Sequence, residues 1–140
     1  MRIAISAPLM LAAATALAAC TPTADQRARM ASDDAAAQTH LARKLAGLVP
    51  GAARTCLPPT QTTQVEAYGR TLLYTVTGGL KYRSDTNGGC ENLSRGDILV
   101  TISNGSGVCQ GDIARTVDRL ARFTTGGCAI GEFVPYRKPS

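Results

Sequence analysis

Three phrases along the chain set an acid a few residues after a cysteine. "GGCENLSRGDI" (Gly88 to Ile98), "GVCQGDI" (Gly107 to Ile113) and "GGCAIGEF" (Gly126 to Phe133) each run from glycine and cysteine to a Gly-acid pair and then an apolar residue. Asp97, Asp112 and Glu132 are therefore the candidate ligand-binding residues. Converging carboxylates can hold a hard cation such as calcium or share general acid–base work. A calcium loop, however, gathers several oxygen ligands within about a dozen residues, and each phrase offers a single acid. The competing reading makes each acid the solvent-facing residue that opens a β-strand. The glycine beside it then permits a bulge or a close approach next to the cysteine.

The cysteines are the second chemical inventory. Cys56, Cys90, Cys109 and Cys128 contain no C-x-x-C pair, the nearest two stand nineteen apart, and no histidine lies among them. Structural zinc sites use tighter spacing, so neither a metal nor a cofactor is expected. In an oxidising compartment four such residues form two disulfides. Catalytic constellations fail on inventory. The sole histidine, His40, lies ahead of the cysteine-framed region, no G-x-S-x-G occurs, and "TNGGCENLSRG" lacks the lysine of a phosphate-binding loop. No catalytic residue is assigned, and the chain is not read as an enzyme.

The fifth cysteine has a different setting. The first nineteen residues, "MRIAISAPLMLAAATALAA", carry one basic residue, Arg2, followed by an uncharged apolar run that ends in small residues. This is the build of a secretory signal peptide. It closes on "LAAC", Leu17 to Cys20, which resembles the lipobox of bacterial lipoproteins. The resemblance implies that the signal peptide is removed, that the Cys20 thiol carries lipid, and that this lipid is the membrane anchor. Thr21, rather than an aspartate, follows the cysteine. By the enteric sorting rule this implies the inner leaflet of the outer membrane, with the protein facing the periplasm. An ordinary cleavage before Cys20 is the rival reading and leaves a spare thiol.

From Cys20 to Ser140 the chain is 121 residues long, one domain's worth, with fourteen basic and ten acidic side chains. The signs alternate, as in "RTVDRLAR", and no basic-aromatic block stands out, so nucleic acid is not an expected partner. A mild attraction to anionic head groups is compatible with the charge.

The elements that must position these residues follow from periodicity. Residues 20–32 read as a polar tether. Ser32 then caps a helix from Asp33 to about Leu48, stopped by "GLVPG" (segment 33–50), with Leu41, Leu45 and Leu48 on one stripe. Beyond Arg54 the pattern changes to alternation and glycine turns. "TLLYTVT", "LKYRS" and "DILVTIS" read as strands, and Asn104-Gly105 after the last predicts a hairpin into the segment holding "VCQGDI". Residues 112–123 fit a strand or a helix, and the hairpin favours the strand. "CAIGEFVPY" reads as one terminal strand, with Pro135 confining its end to a sheet edge. The expected fold is mainly β, a small antiparallel sheet, barrel or sandwich of five to seven strands over 54–138. It has one N-terminal helix outside its core and two disulfides. With two Phe, four Tyr and no Trp, that core is expected to be built of Leu, Ile, Val and Ala.

The hairpin suggests pairing Cys90 with Cys109, which leaves Cys56 for Cys128. The alternative of Cys56–Cys90 with Cys109–Cys128 stays open. Finally, "RTCL", "VCQGDI" and "GGCAIGEFVPYRK" resemble a family of small exported proteobacterial proteins, which implies an exported, cysteine-framed domain and carries over no catalytic residue. The functional expectation is a lipid-anchored periplasmic module that binds an envelope protein or serves envelope structure. The alternative is a small inhibitor of a secreted hydrolase.

Overall fold

The computed structural model describes residues 21–58, 62–103, 105 and 107–139. Residues 1–19, read above as a signal peptide, and Cys20 and Asn104 lie outside the described residues. The chain divides into two compact units, Met1–Ala31 and Ser32–Ser140.

Helix α1 spans Ala24–Leu45 and so starts eight residues before the expected Ser32 cap, inside the segment read as a tether. The reason is a capping box. The Thr23 hydroxyl accepts from the Gln26 N–H at 3.2 Å, and the Gln26 side chain accepts from the Thr23 N–H at 2.8 Å, satisfying two donors that a helix start leaves open. Asp25 in the first turn and Arg43 and Lys44 in the last complement the helix dipole.

Eight strands follow among the described residues, counting a two-residue β1, Val49–Pro50. Strands β2 (Thr62–Tyr68), β3 (Thr71–Val76) and β4 (Lys81–Asp85) form a meander. With β1 and the C-terminal β8 (Val134–Arg137) they make a five-stranded antiparallel sheet in the order β1-β8-β4-β3-β2. Strands β5 (Ile98–Ile102), β6 (Ile113–Val117) and β7 (Thr124–Ala129) make a second, three-stranded antiparallel sheet. Neither sheet closes into a barrel among the described residues. The segment 112–123 is thus a strand followed by a turn, as the hairpin argument favoured.

Three expectations are corrected. "CAIGEFVPY" is two strands rather than one. Cys128 and Ala129 end β7 in the small sheet, and after Gly131 the chain crosses to β8 in the large one. The crossing is tight, since a Cβ on Gly131 would stand 2.0 Å from the Asp85 carbonyl oxygen. Second, β8 lies inside its sheet, between β1 and β4. Pro135 is tolerated there because β1 pairs only with Tyr136 and Arg137, while the Pro135 carbonyl accepts from the Gly51 N–H at 2.8 Å. Third, the core is not purely aliphatic. Tyr74, Tyr82 and Phe133 are buried in the main cluster with Leu57, Leu72 and Ile130, and the Tyr74 and Phe133 rings meet edge to face at 5.5 Å.

Strand β3 is buried along almost its whole length because it is covered on both faces. Leu72, Tyr74 and Val76 point into the main cluster, which also takes Ala114 and Cys128 from the small sheet. Leu73 points the other way, into a second cluster with Leu41 and Tyr68. The helix expected outside the core therefore contributes a buried face of its own. Lys44 bonds Glu66 of β2 at 3.0 Å, and the Gln38 amide donates to the Tyr68 carbonyl at 3.3 Å. The ion pair is partly exposed and weak for that reason; Leu41 and Leu73 fix the docking.

The Tyr74 hydroxyl is buried and finds no hydrogen-bond partner among the described residues, and burial pushes its phenol pKa up. A buried hydroxyl without a partner destabilises the fold. Tyr74→Phe is therefore expected to raise stability by about 1 kcal/mol. Urea denaturation reads this as a higher midpoint with an unchanged slope, and a lower midpoint would show that the hydroxyl is satisfied.

Candidate functional site

Asp97 immediately precedes β5, Asp112 immediately precedes β6, and Glu132 stands two residues before β8. They are held in different ways. The Thr125 hydroxyl of β7 donates to the Asp97 carboxylate, and it shares a second hydrogen bond of 2.9 Å with the buried Thr116 hydroxyl of β6. Asp112 accepts from the Cys109 N–H at 2.8 Å and closes the turn into β6. Glu132 is exposed. Among the described residues no group of three His, Cys, Asp or Glu side chains is placed to hold a metal ion.

The cysteines pair as Cys56–Cys109 and Cys90–Cys128. This corrects the expected pairing and also differs from its stated alternative. The hairpin exists, with β5 pairing antiparallel to β6 from Ile98↔Val117 to Ile102↔Ile113. Its connection, however, runs from Ser103 to Asp112 instead of closing on a two-residue turn. The far half of that connection leaves the hairpin and lies against the segment before β2. The Leu57 N–H donates to the Val108 carbonyl and the Gln110 N–H to the Thr55 carbonyl, at 2.8 and 2.7 Å. Cys109 is carried to Cys56 as a result.

The second bond joins two of the repeated phrases to each other. Gly89-Cys90 lies on Gly126-Gly127-Cys128. A Cβ on Gly89 would stand 2.2 Å from the Gly127 carbonyl oxygen, and one on Gly126 would stand 2.1 Å from that of Gly89. The glycines of these phrases thus serve a backbone-to-backbone contact that the disulfide clamps. Around it the Asn87 side chain accepts from the Ala129 N–H at 2.8 Å, and the Asn92 amide donates to the Thr125 carbonyl at 3.0 Å. The loop 86–92 therefore covers the outer edge of β7.

The opposite edge of this sheet is different. No strand among the described residues pairs with the outer side of β5. The sheet's outward face carries Ile98, Val100 and Ile102 on β5, with Ile113 of β6 facing Ile102 across the ladder and Arg115 facing Val100. Leu120 and Phe123 extend the apolar surface into the β6–β7 turn. These six account for all but two of the exposed large apolar side chains among the described residues, the others being Met30 and Val49. Scattered exposed apolar residues need no explanation, whereas their concentration on one sheet and its turn makes this face the candidate site. Strict alternation in "DILVTIS" announces such a face only in part, because it marks one side of a strand as apolar without saying whether that side meets the core.

Among the described residues no helix is long and apolar enough to cross a membrane. Comparison with protein-family models, with curated proteins and with solved structures yields no match.

Two outcomes follow from the glycine clamp. Non-reducing proteolysis with mass spectrometry is expected to recover a peptide joining Cys90 to Cys128, and one joining Cys109 to Cys128 would refute the arrangement. Gly126→Ala must push the 86–92 loop off β7 and is expected to cost about 2–3 kcal/mol in urea unfolding, in the range of core overpacking. A neutral substitution would mean that the approach is not close.

Proposed function

We propose that the chain is a lipid-anchored binding module of the bacterial envelope, held through Cys20 on the periplasmic face of the outer membrane. Its binding surface is the outer face of the small sheet. The observation that carries the binding reading is the concentration of exposed Ile, Val, Leu and Phe on β5, β6 and their turn. The anchor reading is supported by the charged start, the apolar run and "LAAC" of the first twenty residues. Two disulfides agree with an oxidising compartment. No residue is assigned a catalytic role.

The two halves of the reading differ physically. The lipid supplies a long-lived anchor, because each buried methylene of an acyl chain contributes about 0.8 kcal/mol and several chains together resist washing. The sheet face supplies contacts of protein origin, which are weaker and reversible.

Fractionation tests the anchor. The unaltered chain is expected in the outer-membrane fraction after a high-salt wash and to incorporate labelled palmitate. Cys20→Ala is expected to lose the label, and its mature-length form, without residues 1–19, to leave the membrane in the wash. Retention of that mature-length protein in salt-washed membranes would overturn the lipid assignment.

A further inference from the structure

The turn between β6 and β7 is built to present apolar side chains outward. The Asp118 carboxylate accepts from the N–H groups of Leu120 and Ala121 at 2.8 and 2.7 Å. Its own N–H donates to the Phe123 carbonyl at 3.0 Å, and the Arg122 N–H donates to the Asp118 carbonyl at 3.1 Å. With these four backbone donors satisfied internally, the turn leaves Leu120 94% exposed and Phe123 58% exposed. Arg122 sits at φ 60°, the one non-glycine residue with positive φ among the described residues. Glycine would hold that conformation at lower cost, yet the position carries a long cationic side chain.

Charge around the apolar face is equally one-sided. Between Arg95 and Ile130 every exposed charged side chain is an arginine: Arg95, Arg115, Arg119 and Arg122. The acids of the stretch, Asp97, Asp112 and Asp118, are less exposed than these arginines. They already accept hydrogen bonds from the Thr125 hydroxyl, the Cys109 N–H and the turn amides, the Asp118 carboxylate at the solvent-facing turn. Arg115 stands directly across the ladder from Val100, in the middle of the apolar set.

We infer that this face, with the Leu120–Phe123 tip, docks on the surface of an anionic phospholipid bilayer. The inference rests on the reading of the face as the binding surface and names its partner. Exposed aliphatic and aromatic groups interleaved with arginine suit the boundary between acyl chains and head groups, where apolar parts sink and guanidinium groups reach up to phosphate. Leu120 stands on a projecting turn. A fluid acyl layer closes around such a group, whereas a folded partner would need a matching pocket. A second copy joined along β5 would bury that strand's edge and leave the tip, between β6 and β7, uncovered. If residue 20 also carries lipid, the bilayer is already at high effective concentration, and a weak patch suffices to orient the domain.

The test uses the Cys20→Ala chain freed of residues 1–19, verified by mass spectrometry, so that binding reports the face with neither the lipid nor the apolar leader. Its failure leaves the fractionation result for Cys20 standing. The protein is expected to sediment with vesicles of phosphatidylglycerol and phosphatidylethanolamine and not with vesicles of phosphatidylcholine alone. Raising NaCl from about 0.1 to about 0.5 M is expected to weaken binding about tenfold, as arginine–phosphate attraction is screened. Leu120→Ser with Phe123→Ser, and separately Arg119→Gln with Arg122→Gln, are each expected to weaken it about tenfold or more without changing the melting temperature. Arg122→Gly separates structure from binding, since it relieves the positive φ and raises the melting temperature while vesicle binding falls. Equal binding to neutral and anionic vesicles, or binding that these variants leave unchanged, overturns the inference. So does a chain that ignores vesicles and sediments as a dimer that Val100→Thr separates, which assigns the face to a second copy.

Discussion

The arrangement of the small sheet depends on one close contact, the packing of the Gly89 backbone on Gly126 and Gly127. Cys90 reaches Cys128 because no Cβ stands between the two strands of chain. In the loop-entropy model the bond over 38 residues restricts the unfolded chain by about 4 kcal/mol, and the 53-residue bond between Cys56 and Cys109 by a similar amount. The geometric effect matters as much as the energy. With the 86–92 loop fastened along β7, the Asn87 and Asn92 side chains can satisfy its outward backbone groups. One edge of the three-stranded sheet is thereby covered, and the unpaired edge and its apolar neighbours are on β5.

The hydrogen-bond economy of the acids follows the same logic. A chain that reverses direction leaves backbone N–H groups without ladder partners, and each such group is costly if it goes unpaired. Asp112 accepts from one such group at the entry to β6, and Asp118 accepts from two in the turn that leaves it. Donation from those amides holds the Asp118 carboxyl below its ordinary pKa. Asp97 serves the interior instead, where it fixes the Thr125 hydroxyl and through it meets the buried Thr116. Acids placed in this way shape turns and strand entries. The cationic residues around them are what remains available to an outside partner.

Much of this could be read from residue order, and what could not has identifiable causes. Alternation in "TLLYTVT", "LKYRS" and "DILVTIS" marked strands that exist, since side-chain direction in a strand is a local property. Leu41 and Leu45 likewise marked the helix face that packs toward Leu73. The earlier helix start was legible as well, because Thr23 and Gln26 have capping-box spacing, but the proximity of the cysteine made the stretch read as a tether. The disulfide pairing was not legible. It turns on where the Ser103–Asp112 connection goes after leaving the hairpin, and that is settled by bonds to Thr55 and Leu57 some fifty residues away. Burial of Tyr74, Tyr82 and Phe133 was misjudged for a related reason. Counting aromatics says how few there are, whereas the topology places those few at the centre. The candidate binding face was half visible, because alternation cannot say whether an apolar side meets the core or the solvent.

The order of the two disulfides along the chain carries a consequence for how they form. The bonds interleave: Cys90 lies inside the loop closed by Cys56–Cys109, and Cys109 inside the loop closed by Cys90–Cys128. No native bond joins consecutive cysteines. In a chain that crossed a membrane from its N-terminus, Cys56 and Cys90 would be the first two of these four thiols to emerge, and the bond they would make is absent from the folded protein. The native pair for Cys56 arrives only when Cys109 has followed, and that for Cys90 only with Cys128, near the end of translocation. A strongly oxidising entry point would therefore trap the chain in a loop that must be reopened by thiolate attack through a mixed disulfide. For a chain oxidised as it emerges, correct pairing would call for slow oxidation or an exchange catalyst, a demand that consecutive pairing would never have made.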